Sequence, residues 1–540
     1  MPLPKLRAPE EDGGILAIPP LSEWPGLVEK NRKLLSTANW PAQPLADHRE
    51  MARAEAVHAA GAFHHRFSLS PMPLEYDKPA IGTGHQPDLF HPGVWIKNFA
   101  THALAQKLGA ISINLVVDSD QTEGNTLRVP DSQIGKVELL AYDSPQPPMP
   151  FEERHINDLA LFRTLPTRVS KIERAPLLRK FWENLLPTLA NAPMPDPYPS
   201  TNFIEQAVTD RLGETIVIGR HRIEESWDCF NCETFISLLC LTQSFIHFAS
   251  DLFKDLARFQ IVYNTALGDY RRRHNLRSVK HPMPNLGMES DWFESPFWIW
   301  RDGDTHRRRL FIMKAADHLG LAAVGAELEE LNIMLPNYGG PWSLSEWCQL
   351  REAGWKIRPR ALITTLYARL FLADLFIHGL GGGLYDEITD DIIRKFFGFE
   401  PPAYVILTAT LRLQDPNPPR AGGMSTAELR RQLRDLHYNP DRHLPPDRSS
   451  NALALVNAKQ QRIARYPETK PERLERFLQI HDLNERLLPM TASEQERLQH
   501  QLRSAEAAEA RKRLFHDREY AFVLHSEERL RELFAKVKFD

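Results

Sequence analysis

Residues Pro79–Asp120 read PAIGTGHQPDLFHPGVWIKNFATHALAQKLGAISINLVVDSD, and this stretch decides the fold. A short strand over Lys78–Gly82 feeds a loop from Thr83 to Pro92. From Gly93 onward Ile96, Phe99, Ala100, Ala103, Leu104 and Leu108 recur at helical spacing, and Gly109 stands where a C-terminal cap belongs. Ile111–Val117 (ISINLVV) is apolar and β-branched at most positions, as a strand buried on both faces of a parallel sheet is. Strand, helix and strand in this order form a βαβ unit, whose crossover is right-handed. The predicted fold class is therefore α/β with a parallel-sheet core.

Ligands of such sheets sit beyond the carboxyl ends of the strands. Thr83, Gly84, His85 and Gln86 lie at that edge, as do Asp118, Ser119 and Asp120. The backbone N–H groups and dipole at the helix start near Gly93 favour a phosphate or carboxylate. His85 and His91 flank that start and Lys97 lies one turn inside it, a set suited to charge developing on a phosphoryl or acyl-phosphate group. Asp118 and Asp120 can take a substrate ammonium, a ribose hydroxyl or Mg²⁺; the competing role for one of them is a helix N-cap.

Outward from this centre, residues 1–78 mix proline-rich and helical pieces, with Asp47–Phe63 the best helix by propensity. Pro130–Pro199 reads as a connecting layer, and a long helical stretch is expected from about Glu233 to Tyr270. Trp292–Lys314 reads as a β-hairpin turning at Asp302-Gly303-Asp304. Arg358 and Arg360 bracket Pro359 just before an apolar helix predicted over Arg360–Leu380. That helix is expected to break at the glycine run, where Gly381, Gly382, Tyr385 and Asp386 join the ligand-binding set, with a new helix through Thr389–Phe397. After Pro416 helix formers and charge dominate, with sparse, partly heptad-like apolar positions suited to a coiled coil. The expected division is an N-terminal segment 1–78, a core 79–415 with helical and hairpin insertions over about 130–355, and a helical region 416–540.

Composition narrows the class. In 540 residues, 42% hydrophobic and 25% charged content are those of a soluble globular chain, and a formal net charge of -4 argues against nucleic acid as the main partner. Four cysteines are too few for a disulfide framework. Cys229-x-x-Cys232 has no second pair at zinc spacing, so no metal site is expected there. The N-terminus has no apolar core of signal-peptide length, and the most apolar later run is broken by Arg369 and Asp374. A cytoplasmic location, away from membranes, is expected.

The Thr83-Gly84-His85-Gln86 loop with Leu89-Phe90, then a helix and a strand ending in Val117-Asp118-Ser119-Asp120, resembles the bacillithiol-biosynthesis cysteine-adding enzymes (BshC). Members carry a TGQQ-x-x-LF loop and an EDHD-like acidic motif in the same order and spacing. The resemblance extends, patchily, to Arg358–Arg360, the Gly379–Tyr385 turn and Phe397–Leu413. The chain differs where His85 stands for the first loop glutamine, Val117 for the leading acid and Ser119 for the histidine of the acidic motif.

The resemblance implies a Rossmann-like, nucleotidyltransferase-like core, a helical connecting layer, and a coiled coil that makes a homodimer. It also implies an amide-forming ligation that joins an amino acid, cysteine in the family, to the amine of an amino sugar. A free carboxylate must be activated before it forms an amide, which calls for ATP or ADP with Mg²⁺. His85, His91, Asp118 and Asp120 are then the catalytic candidates; Thr83, Gly84, Gln86, Gly93, Lys97, Arg358, Arg360, Gly381, Gly382, Tyr385 and Asp386 bind substrate or nucleotide. Two other readings stand beside it: a nucleotidyltransferase acting on a small molecule, and a non-catalytic scaffold on a degenerate core.

Overall fold

The computed structural model describes residues 6–539 apart from 41–42, 72–75, 123, 132–134, 172–174, 190–207, 279–280, 326, 338–341, 343, 417 and 419–422. The end of the connecting layer expected over Pro130–Pro199 lies outside the described residues. The chain divides into two units: Met1–Val129 with Leu139–Leu413 and Arg518–Asp540, and Pro130–Glu138 with Gln414–Asp517.

In chain order the principal strands of the first unit are β1 (Ile15–Ile18), β2 (Ala80–His85), β3 (Ile111–Val116), β4 (Cys232–Phe235), β5 (Trp292–Arg301), β6 (Arg308–Lys314), β7 (His318–Val324), β8 (Leu328–Pro336), β9 (Trp355–Pro359), β10 (Leu375–His378) and β11 (Val405–Ala409). One sheet runs β1-β11-β10-β2-β3-β4, all parallel except the edge strand β1. The other is antiparallel, in the order β8-β7-β6-β5-β9, and contains the hairpin expected at Trp292–Lys314, with Gly303 in the left-handed region at its turn. The molecule is thus mixed α/β with a parallel core sheet. Its order reverses between β2 and β10, because the chain builds outward through β3 and β4 and later returns to place β10 and β11 on the other side of β2.

Each part of the central βαβ unit has a local cause. Pro92 opens the helix Pro92–Leu108, where its missing N–H costs nothing, and His91 Nδ1 accepts from Gly93 N at 3.1 Å as the N-cap. Gly109 ends the helix in the left-handed conformation, at φ 59°. Gly93 is required by packing: a Cβ there would lie 2.2 Å from Ala409 O, so only glycine lets the first helical turn sit on the end of β11.

Four elements differ from expectation. The strand expected to end at Gly82 runs on through His85, so Thr83, Gly84 and His85 belong to β2 and not to the loop, each paired with β3. The helical stretch predicted from Glu233 begins instead as β4, fully buried; helices follow over Gln243–Lys254 and Leu256–Arg273. Four consecutive buried residues carry no periodicity that separates strand from helix. The helix predicted over Arg360–Leu380 is Ala361–Tyr367, then a π turn at Ala368–Leu372, then β10. The glycine run is no break. The helix Leu380–Ile392 starts within it, with Gly379 as N-cap, and the absent side chains let its first turn dock: a Cβ on Gly383 would lie 2.4 Å from Ile406 Cγ1, and one on Gly382 3.0 Å from His378 Nδ1.

The second unit holds the helices Thr426–Tyr438, Ser450–Ala464, Lys470–Leu487 and Ala492–His516. Leu429, Leu436 and Leu498 form one small core, and Leu455, Val456, Leu483 and Leu487 belong to another. The helical region expected over 416–540 therefore divides at its end. Residues Arg518–Asp540 join the first unit because Tyr520–Leu524 is a buried apolar run, in which Phe522 N donates to Phe90 O at 2.8 Å. Among the described residues no helix is long and apolar enough to cross a membrane.

Candidate functional site

Because β2, β3, β4 and β10 are parallel, the loops that follow them share one edge of the sheet. At the reversal, Thr83 Oγ1 donates to Ile377 O at 2.9 Å and ties β2 to β10. Lys97 reaches back from the helix to donate Nζ–H to Gly84 O at 2.8 Å, with the residue 3% exposed. Burial without a partner carboxylate draws the ammonium down to about 7. The same burial, aided by Lys97, lowers His85 to about 3, so its imidazole is neutral at physiological pH. Its ring meets the Phe90 ring edge-on at 5.2 Å.

The two aspartates of the acidic turn take different partners. Asp120 accepts from Gln86 Nε2 at 2.7 Å and from Arg307 Nη1 at 2.9 Å, linking the β2 loop to the segment before β6. Asp118 is 4% exposed and accepts from Ser237 N at 3.0 Å and from Ser237 Oγ, capping the short helix Ile236–Leu239. Burial first, and the neighbouring Glu152 second, push its carboxyl up to about 7. Glu152 in turn takes a two-point hydrogen bond from Arg358, Nε–Oε1 at 2.9 Å and Nη2–Oε2 at 2.8 Å.

Asp118, Glu152 and Arg358 line one wall of a cavity of about 910 Å³. Lys356 extends that wall, two residues before Arg358 on the same face of β9, and is paired with Glu153 at 2.5 Å and Asp302 at 2.6 Å. Ala59, Ala62 and Phe63 make an apolar side opposite in character. The chamber has the volume of a small-molecule pocket, and charged side chains from Asp118, Glu152, Glu153, Arg211, Lys356 and Arg358 share its lining with the apolar side.

Other predicted residues lie elsewhere. His91 caps its own helix and pairs with Glu519 at 3.3 Å. Arg360 donates to Glu294 Oε1 at 2.8 Å and covers the Trp298 ring at 4.2 Å, away from the cavity lining. Gly381 and Gly382 sit in the first turn of a helix, and Tyr385 packs by Tyr270 and His281 with centroids 6.2 and 6.0 Å away. Asp386 is buried between Arg369 Nη1 at 2.7 Å and His378 Nε2 at 2.9 Å; although burial opposes it, Arg369 holds the carboxyl well below the usual range. Its role is to fasten the helix Leu380–Ile392 to β10.

Sequence reasoning missed Glu152, Glu153, Lys356 and Arg307. Period-two alternation in Trp355–Pro359 was the available signal for Lys356, since it shares the face of Arg358. No local pattern marks Glu152, which meets its arginine 206 residues later.

One group of described residues has metal-ligand geometry: His221, Glu224 and Glu233, with ligand atoms within 4.8 Å. Arg220 fills the cationic role there, donating to Glu224 at 2.7 Å and to Glu233 at 2.6 Å. The cluster is a buried ion network, in which His221, although opposed by burial, is pushed up to about 9 by Glu225 and Glu233.

Compared with known proteins, the chain matches no family model and no curated protein.

Proposed function

We propose that the protein is an amide-forming ligase of the bacillithiol-synthase type, joining an amino acid to an amine on a Rossmann-like core. The observation that carries this reading is the reversal of strand order between β2 and β10, with buried Lys97 and partly buried His85 at that edge and the Asp118 cavity beyond the neighbouring strands. At neutral pH a carboxylate and an ammonium do not condense, so two tasks arise: activating the acid and deprotonating the amine. Lys97, poised near 7, suits the first by stabilising negative charge on a carboxylate or phosphoryl oxygen. Asp118, also near 7, suits the second, its carboxylate accepting the proton that the attacking amine loses.

ATP is the activating co-substrate in this reading, transferring its phosphoryl group with loss of ADP, or its adenylyl group with loss of pyrophosphate, to the acid oxygen; the amine then displaces phosphate or AMP. Asp120, its side chain 37% exposed, is the carboxylate open to an accompanying Mg²⁺. Homodimerisation through the second unit belongs to the same proposal: Leu474, Phe477 and Leu478, at helical spacing, are 56–60% exposed along one helix.

The full chain incubated with ATP, Mg²⁺, cysteine and a panel of amino sugars is expected to release ADP or AMP and to form an amide detectable by mass spectrometry. Cells lacking the protein should lose a low-molecular-weight thiol traceable with sulfur label. No nucleotide turnover together with an unchanged thiol profile would overturn the ligase and favour the scaffold reading. Pyrophosphate release without amide would favour the nucleotidyltransferase.

A further inference from the structure

At the other end of the same two central strands lies a second pocket, of about 450 Å³, lined by Arg32, Lys33, Arg49, Arg53, Tyr76 and Asp374 among others. Asp374 directly precedes β10 and accepts from Ala80 N, the first residue of β2, at 2.8 Å. Its two oxygens also pair with Arg49 Nη2 at 2.7 Å and Arg53 Nη2 at 2.8 Å. Both arginines come from the helix Leu45–Arg66, four residues apart and so on one face, with side chains 7% and 9% exposed.

A guanidinium has five N–H donors. On Arg49, three meet Leu370 O, Ala373 O and Asp374; on Arg53, two meet Leu372 O and Lys78 O, while its buried Nη2 lies 2.8 Å from Asp374 Oδ2 without hydrogen-bond geometry. Two buried guanidiniums thus share one carboxylate and keep donors in reserve. Their crowding has an electrostatic consequence: burial, then Arg53, lower Arg49 to about 9. Arg32 and Lys33 add two exposed cations at the rim. Against these four cations stand Glu50, Asp77 and Asp374, so the lining has a net charge of +1.

We propose that this pocket binds a phosphate-type oxyanion, either inorganic phosphate or the phosphoryl group of a small phosphomonoester. A tetrahedral dianion offers separate oxygen acceptors that match the guanidinium fork and carries two charges, whereas chloride is a single spherical acceptor with one. The volume exceeds that of phosphate alone, and Tyr76, 42% exposed, is a lining aromatic that an organic ester can contact. The site is separate from the ligase reading and does not depend on it.

The test is isothermal titration of the full chain with sodium phosphate and with glycerol phosphate, against sodium chloride at matched ionic strength. Phosphate-specific binding is expected, and the Arg32→Ser/Lys33→Ser double variant, altered only at exposed positions, should bind about tenfold more weakly. Arg430→Ser, an exposed change in the second unit and outside the pocket lining, should bind as the parent does. Tighter binding of the ester identifies a phosphorylated small molecule as the ligand; equal or weaker binding identifies the free anion. Binding no stronger than that of chloride, or phosphate binding undiminished in the double variant, would overturn the assignment.

Discussion

The helix Pro92–Leu108 serves two polar regions that handle buried charge in opposite ways. Trp95 and Asn98, three residues apart, donate to Glu224 at 2.5 and 2.8 Å, within a network where Arg220 pairs two carboxylates and Asn114 donates to Glu233 at 2.9 Å. Lys97, on another face of the same helix, donates to a single carbonyl. The first arrangement satisfies its charges and keeps them fixed across ordinary pH. The second leaves an amine under-compensated, so its proton is held loosely. Buried charge that is paired holds a fold together, whereas buried charge that is not paired is available for chemistry.

The largest effect is expected on removing the cation from the paired network. Arg220→Met leaves Glu224 and Glu233 buried without their partner and is expected to cost about 3–5 kcal/mol of stability by urea unfolding. Lys97→Met removes an uncompensated buried charge and should make the fold no less stable, and by this argument more stable, than the parent at pH 7 while lowering turnover in the proposed ligation. Equal losses in the two variants would erase the distinction. Next in size is Gly93→Ala, whose Cβ would strike Ala409 O at the helix seat; about 1–3 kcal/mol should be lost.

The pH dependence of stability sharpens the comparison further. Asp118 titrates near 7 in the folded chain and near 3.8 unfolded. Between these values the unfolded chain releases a proton that the folded chain retains, so stability falls as pH rises through the window. Lys97 titrates near 7 folded and 10.5 unfolded, so from pH 7 upward the unfolded chain binds the extra proton and stability rises with pH. Together they place a shallow minimum near neutrality. Urea unfolding from pH 4 to 10 should show the lower limb flattened in Asp118→Asn and the upper limb flattened in Lys97→Met; an unaltered limb in either variant refutes that assignment.

The βαβ unit was readable in the sequence because its signals are local: the Gly109 cap, the helical spacing from Ile96 to Leu108 and the continuous apolar run of β3. Three things were not. The four residues of β4 are too few to show a period, and the glycines at 381–383 carry two meanings, turn and close packing, that only Ile406 and His378 separate. The pairing of Glu152 with Arg358 is a product of tertiary folding that no spacing rule encodes. In the sequence Asp118 and Asp120 share one set of possible ligands, yet the strand ends at Val116, and the turn that follows sends each to a different partner.

That divergence sets up the smallest effect. Asp120 is held by Gln86 from the β2 loop and by Arg307 from the strand-rich layer, so it couples the loop to the hairpin. Gln86→Ala removes one partly exposed hydrogen bond and should cost about 0.5–1.5 kcal/mol. Arg307→Met should cost a similar amount, because its guanidinium also stacks on Trp298 at 5.0 Å and methionine retains part of that contact. The informative quantity is the double variant. If Asp120 is one shared anchor, losing either partner already loosens it, and the two changes together should cost less than their sum by about 0.5 kcal/mol or more in a double-mutant cycle. Strict additivity would mean that the loop and the hairpin are held independently. The β2 loop would then belong with the loosely held Lys97 region alone, and the cavity wall with the paired network.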